Sequence, residues 1–514
     1  MENPTQAQPR GKWLVLAAVC LAGMMMPLAF TAPGIALPAI SHDLGGSALS
    51  LAWVVNIFIL AFGSAVMAAG ALADRFGRKR MFTLGVIAFG LISLGQVFVP
   101  SLFALNVLRA LQGVAAAMAM AGGSASLAHV FDGPARTHAY SLLGTSFGAG
   151  LAVGPLWAGF LIDSLGWRAI FLTCVVISVL VLLFGVPRMP ESRDPNAKGV
   201  DVWGTVTFTA TLLLLTLGIL QGPQSGWASW PTLLMLGGAV TALAVFIQVE
   251  RTHPRSMLDL SLFRNARFIG AQALPSGTAF SFVVPLVMLP VRFIGIEGYN
   301  PVTAGLMMVP LSAPMLIVPL LGALATRWVA ASTLCLIGFT CSAAGLVWLG
   351  QIAPGAAHAD FVLPLLLIGL GASLPWGLMD DLAISVVPKE RAGMAAGFFA
   401  TVRLASESIA LAVVAAVLAA LLQVVITQHV GSALPVVDLG NALATGDLAG
   451  ASQILPQVTH NNWLRLYGEA FHLVTWVLAG LTLSAGLVAF FTLRRAPVHP
   501  HIAPQLVPAT ECVE

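Results

Sequence analysis

"GALADRFGRKR", Gly70 to Arg80, sets five charges at the end of an apolar run that carries none from Ala48 to Ala73. "GALATRW", Gly322 to Trp328, repeats its first six letters with one change, Thr326 for Asp74. An apolar run closed by a basic cluster reads as a membrane-crossing helix that reaches an aqueous face, because Lys and Arg gather in loops on the cytoplasmic side. Its near-copy in the second half of the chain reads as the trace of a duplicated bundle. That construction belongs to transporters that rock one half against the other around a central site.

Composition agrees. The 514 residues are 58% hydrophobic and 9% charged, with a mean hydropathy of +0.91, whereas a soluble domain carries roughly 25% charge. The chain is expected to be a polytopic membrane protein embedded in lipid. Its net charge of +3 lies in short basic clusters, which argues against a nucleic-acid partner. Cys20, Cys174, Cys335 and Cys341 fall inside apolar runs and Cys512 in the tail, so neither a disulfide framework nor a metal-ligand spacing is visible. No phosphate-cradling loop with Lys and Ser/Thr supports ATP hydrolysis. No nucleophile, histidine and acid cluster on one face, so the chain reads as a non-enzyme without cofactor or metal.

A hydrocarbon core of about 30 Å needs roughly 20 apolar residues per helix. Runs of that length fall near 13–38, 51–73, 81–100, 102–128, 138–162, 168–187, 201–220, 230–248, 267–291, 300–324, 330–350, 360–387, 393–422 and 470–493. With the N-terminus inside, nineteen of the 24 Lys and Arg lie in cytoplasmic segments, Arg168, Arg292 and Arg465 lie outside, and Arg109 and Arg403 lie within spans. Adding or removing one helix would scramble this asymmetry, so fourteen spans with both termini cytoplasmic are expected. The expected organisation is an N-terminal segment (1–12), a first bundle (13–190), an inserted pair with linkers (191–265), a second bundle (266–495) and a disordered tail (496–514). The stretch 423–468 reads as a mobile outer loop, with a lid or partner-binding element as the alternative.

The motif Gly-x-Leu-Ala-Asp-Arg-x-Gly-Arg-Lys-Arg of the major facilitator superfamily is matched by Gly70, Leu72, Ala73, Asp74, Arg75, Gly77, Arg78, Lys79 and Arg80. At these residues the chain resembles that superfamily. The resemblance implies an all-α membrane protein with two six-helix bundles, and a charge clamp of Asp74 and Arg75 that holds the inner gate shut. Thr326 cannot ionise, so the second copy is expected to hold its gate more weakly. "RALQG" in span 4 matches the Arg-x-x-Gln-Gly signature at Arg109, Gln112 and Gly113. A charge at mid-membrane costs about 2.5–3.5 kcal/mol on insertion scales and normally faces a cavity or a partner. "GLAVGPLWAG" places Gly150, Gly154, Pro155 and Gly159 where exporters of the superfamily carry their signature; "WRAIF" follows at Trp167 to Phe171. Proline kinks a helix and spaced glycines let a neighbour approach, so span 5 is expected to flex at Gly154 and Pro155. "GWASW" at Gly226 to Trp230, Glu250 and "LDLSLFRNARF" from Leu258 to Phe268 narrow the resemblance to the fourteen-helix drug:proton antiporter family.

One departure stands out. Members of that family commonly carry an acid in span 1 before Ala-Leu-Pro, but "LAFTAPGIALPAI" offers Ala29 there, with Thr31 retained. Proton coupling then falls to other groups. Asp380 and Asp381 sit about 10 Å inside span 12 at 1.5 Å per residue, with Lys389 and Arg391 as alternative partners. Glu407 stands near the middle of span 13 with Arg403 one turn earlier. That pair reads either as a self-neutralising lock or as a proton switch. Arg109 is expected to pair with whichever carboxylate holds the proton. Trp157, Trp376, Gln112 and Thr31 are candidates to line the substrate cavity.

The expected protein is a monomeric plasma-membrane transporter that exports amphiphilic small molecules for protons by alternating access. Export of neutral or anionic metabolites, a sodium gradient, and a non-transporting sensor or scaffold remain open.

Overall fold

The computed structural model describes residues 11–131, 133–193, 201–252, 263–385, 392–430 and 435–494. The tail and several basic residues assigned to loops, among them Lys198, Arg255, Lys389 and Arg391, lie outside the described residues.

Among the described residues, fourteen helices are long and apolar enough to cross a membrane. Spans 1 to 6 are Lys12–Leu44, Leu49–Phe76, Arg78–Val97, Leu102–Val130, Leu142–Leu165 and Ala169–Arg188. Spans 7 and 8 are Val202–Pro223 and Trp230–Thr252. Spans 9 to 14 are Ala266–Ile296, Pro301–Ala325, Ala331–Gly350, His358–Ala383, Phe398–His429 and His460–Leu493. Several helices outrun the apolar stretch that defines them. Span 14, for example, starts at His460, ten residues before its apolar run.

Spans 1–6 and 9–14 form two bundles, with spans 7 and 8 inserted between them. Two faces can be followed through the contacts. The start of span 1 meets the ends of spans 4 and 6, through Trp13 against Phe131 and Gly11 against Arg188. The loop after span 2 joins them, since Arg78 donates its backbone N–H to the Ser192 carbonyl. This is the basic face. On the opposite face Asp43, at the end of span 1, accepts hydrogen bonds from Trp167 Nε1 (3.0 Å) and from Arg168. "WRAIF" therefore ties span 6 to span 1.

Span 9 departs from regular helix twice, at the π-helical turns Ala279–Val283 and Val291–Ile296. The second aims Arg292 inward, where its Nε donates to Glu297 Oε1 (2.6 Å) and its Nη2 to the Ile352 carbonyl (3.0 Å), between the rings of Phe361 and Phe471. The residue expected in an outer loop is thus buried. Removing one partner of such a pair costs about 3–5 kcal/mol, so it fixes the opposite-face end of the second bundle. Burial, with the neighbouring Glu297 carboxylate, pushes the Tyr299 phenol above its ordinary range.

The stretch expected as a mobile outer loop is largely helical. Span 13 runs on to His429, and two short helices, Val436–Ala444 and Leu448–Ile454, fold back as a cap. Leu439, Leu443 and Ala451 are fully buried, and Gly446 packs against Val291 and Gly295 of span 9. The period of apolar residues across "VVDLGNALA" accounts for this amphipathic helix.

Span 7 packs on the seam between the bundles. Its Leu212 and Leu220 form one apolar cluster with Trp53 and Leu60 of span 2 and Ala405 and Ala412 of span 13. Gln423 Nε2 of span 13 donates to its Pro223 carbonyl (2.9 Å). Span 8 packs on span 7 through Phe208 and Phe246 (5.4 Å) and leaves Leu233, Leu234 and Val240 exposed.

Candidate functional site

The two bundles touch over half of their depth. Span 5 meets span 10 at Gly159 against Pro301, Pro155 against Gly305, Ala152 against Ser312 and Gly148 against Met315. Span 2 meets span 13 at Gly63 against Leu404, and span 1 meets span 9 at Gly34 against Val287. All these contacts run from mid-helix towards the opposite face. Towards the basic face, a Cβ added at Gly70 or Gly144 would find nothing within 4 Å, and Asp380 and Asp381 are exposed. Among the described residues, the seam is closed at the opposite face and open at the basic one.

Span 5 achieves its double contact through the glycines read from the sequence. Gly150 approaches the Met24 carbonyl of span 1, Gly154 approaches Thr31, and Gly159 lies against the Pro301 carbonyl of the other bundle. Side chains at these positions would hold the helices apart. Thr31 is consequently 1% exposed, donates to the Pro27 carbonyl (2.9 Å) and packs in the span 1 to span 5 seam, so it does not line a cavity.

The basic loop is organised within the first bundle. Asp74 accepts from Arg78 Nε (3.0 Å) and Nη2 (2.9 Å), while Arg75, its expected partner, lies over the Phe76 ring. Gly77 turns the chain with φ 119°, a conformation that side chains disfavour. There Glu191 receives the Lys79 N–H (3.1 Å) and faces Arg80 (3.7 Å). In the second copy Thr326 Oγ1 donates back to the Ala323 carbonyl (2.6 Å).

Arg109 is fully buried and paired differently from expectation. Its Nε donates to the Val54 carbonyl (2.8 Å), its Nη1 to Gln112 Oε1 (2.6 Å), and its guanidinium lies over Phe58. Gln112 Nε2 donates to Ser93 (2.8 Å), and its Oε1 accepts from Gln96 (3.1 Å). No described carboxylate pairs with Arg109. The network bolts spans 2, 3 and 4 together, which explains why Gln112 is buried away from any cavity and why Gly113, against the Phe58 carbonyl, has no side chain. A charge at this depth needs partners; neutral ones bond Nε and Nη1, while Nη2 has no hydrogen-bond partner among the described residues.

The seam's chemistry gathers around Arg403. Its Nη1 lies 3.7 Å from Asp380 Oδ1, and its guanidinium lies over Trp376 of span 12 (5.8 Å) and Phe147 of span 5 (5.5 Å), which belongs to the other bundle. Glu407, one turn on, is 4% exposed and forms no hydrogen bond or ion pair with a described residue. Of the two carboxylates near Arg403, Asp380 is the one within ion-pair distance, while Glu407 feels the same charge from further off. Asp380 is 65% exposed at its side chain, and such bridges contribute about 0–1 kcal/mol, so Arg403 can exchange partners at small cost. Asp381 shares the exposed end of span 12. Trp376 packs edge-on to Phe282 at one π-helical turn of span 9. Trp157 instead stands 41% exposed on the outside of the bundle, stacked with Phe160 and donating to Thr173 (2.9 Å).

Sequence reasoning missed Phe147, Phe282 and the Ser276–Ser406 contact (3.2 Å) between spans 9 and 13. An aromatic in "GTSFGAG" gives no periodic signal of facing a seam. Asn56, a lone amide in "AWVVNIFIL", did offer one, since a polar group inside a span normally faces a partner or a cavity.

Residues 19–411 match the family model of the Major Facilitator Superfamily. The chain is 32% identical over 429 residues to "Multidrug resistance protein Stp" of Mycobacterium tuberculosis, covering 83% of this chain and 79% of that one. It is 28% identical over 505 residues to "Tetracenomycin C resistance and export protein" of Streptomyces glaucescens, covering 95% and 93%. Its fold matches the crystal structure of a bacterial homolog to the human lysosomal transporter Spinster, with a TM-score of 0.61 at 14% identity, over 95% of this chain and 98% of that one.

Proposed function

The chain belongs to the Major Facilitator Superfamily, and we propose that within it the protein is a proton-coupled exporter of amphiphilic small molecules that works by alternating access. The names of its relatives support export of drug-like cargo. The observation that carries the coupling is Arg403, held between Asp380 and the Phe147 ring of the other bundle, one turn from the buried Glu407.

With the basic face cytoplasmic, cargo enters the open seam beside Asp380 and Trp376. A proton on Glu407 leaves Arg403 with Asp380 and Phe147. Release of that proton creates a carboxylate one helical turn away, at the spacing where charges meet directly. Arg403 then swings to Glu407, releases Phe147 and loosens the first bundle from the second. Protonation from the other side returns it. Asp74, bonded to Arg78 in this conformation, closes the basic face in the other.

A second reading, export of neutral or anionic molecules, is favoured by Ala29, buried at 3% exposure where an acid would attract cations, and by the cationic Arg403 in the seam. Purified protein in liposomes with an imposed pH gradient separates the two. Ethidium movement against its gradient, with matching proton counterflow and collapse by a protonophore, is the expected result. Flux of an anionic dye alone selects the second reading. No flux of either probe overturns export.

A further inference from the structure

A pocket of about 130 Å³ lies in the closed half of the seam. Val55 of span 2 walls it from the first bundle, Val287 and Leu411 of spans 9 and 13 wall it from the second, and Leu220 of span 7 closes its outer side. No charged residue lines it. Its polar groups gather at the cap, where Asn441 and Thr445 both line it, one helical turn apart and so on one face. Thr445 Oγ1 donates to the Asn441 and Ala442 carbonyls (3.0 Å each), which leaves it an acceptor. Asn441 is half-buried, and its side-chain amide forms no hydrogen bond with a described residue. Asn56 in the wall adds no free group, because its Nδ2 donates to the Ala52 carbonyl (3.0 Å) and its Oδ1 is buried away from the pocket.

We propose that this pocket binds a neutral, ring-sized molecule whose hydroxyl head bonds the Asn441 amide, and that the occupant holds the seam closed at this face. The size is right, because an apolar cavity of about 150 Å³ takes up benzene. A lining without charge disfavours an ion, which would lose its hydration uncompensated. A hydroxyl and a carboxamide each donate and accept, so the head keeps its hydrogen bonds on leaving water while the ring is buried among aliphatic side chains. The roof belongs to the second bundle, since Gly440 lies against Gln423 of span 13 and Gly446 against Val291 of span 9. Roof and second-bundle walls therefore leave span 2 together when the bundles part, and the pocket exists while the seam is closed. A ligand that binds one of two states shifts the population towards it, so the occupant inhibits export. Binding itself is independent of transport, whereas its hold on the seam rests on the alternating-access reading.

The probes are 4-fluorophenol and 4-fluorotoluene, alike in shape and different in the hydroxyl, titrated into the full chain in lipid nanodiscs and followed by fluorine NMR against empty nanodiscs. Saturable binding of 4-fluorophenol is expected. Asn441→Leu is expected to lower the ratio of phenol to toluene affinity by about five- to tenfold, the loss of one hydrogen bond. Ala415→Phe, which places a ring in the pocket, abolishes binding of both while thermal unfolding confirms the fold. At about ten times its Kd, 4-fluorophenol is expected to slow maleimide labelling of Ser312→Cys, within the seam of an otherwise cysteine-free chain, by about tenfold. No saturable binding, a ratio unchanged in Asn441→Leu, or binding that survives Ala415→Phe overturns the site. Unchanged labelling with binding intact overturns its hold on the seam, and flux in liposomes decides the transport reading separately.

Discussion

Glu407→Gln leaves a folded protein that equilibrates cargo and cannot accumulate it. The substitution keeps volume and removes only the ionisable oxygen, at a site 4% exposed. One proton moving through 100 mV supplies about 2.3 kcal/mol, enough for a cargo gradient of roughly 50-fold when one proton exchanges for one neutral molecule. In Glu407→Gln that gradient falls to about unity, while downhill exchange of labelled cargo continues. Liposomes energised by a pH gradient measure both. Uphill accumulation at the unsubstituted level would remove Glu407 from the mechanism.

Gly159→Leu acts on the seam itself. A Cβ at Gly159 runs into the Pro301 carbonyl and comes within 3.3 Å of the Val302 Cα. Both obstacles are backbone, which cannot turn aside as a side chain can. Spans 5 and 10 then cannot close at the opposite face, and the protein is held open there. Ser312, fully buried and donating across the seam to the Ala152 carbonyl (3.0 Å), reports this. With Ser312→Cys in a background free of Cys20, Cys174, Cys335, Cys341 and Cys512, labelling by an impermeant maleimide is expected to accelerate about 100-fold, as for a population moved from about 1% to nearly full. Export falls in step. Unchanged labelling would mean that the seam is not the moving part.

The architecture was legible because lipid leaves a chain few options. Length, apolar runs and the placement of basic residues fix the helices, and the echo of "GALADR" in "GALATR" marks the two bundles. Within the site, legibility followed whether a group's partner lies near it in sequence. Arg403 and Glu407 could be singled out as rare charges in a span, but the partner of Arg403 is Asp380, 23 positions earlier on another helix. Arg109 drew the same inference from its cost in a membrane, yet its partners are a carbonyl, an amide and a ring, with Nη2 left without a hydrogen-bond partner among the described residues. Trp157 and Trp376 look alike in the sequence, and only packing puts one outside the bundle and the other beside Arg403. The cap was hidden because its nine-residue amphipathic helix is too short to distinguish from a loop.

Rocking of the two bundles, driven by protons and cargo in opposite senses, is the claim on which the rest depends. Spin labels on the cysteine-free chain at Phe76 and Thr326, both exposed at the basic face, and at Leu165 and Ala357, both exposed at the opposite face, measure it by pulsed electron spin resonance in nanodiscs. As pH and cargo are varied, the first distance is expected to shorten whenever the second lengthens, and Glu407→Gln is expected to remove the pH dependence of both. Two distances that stay fixed, or that change in the same direction, would contradict the account.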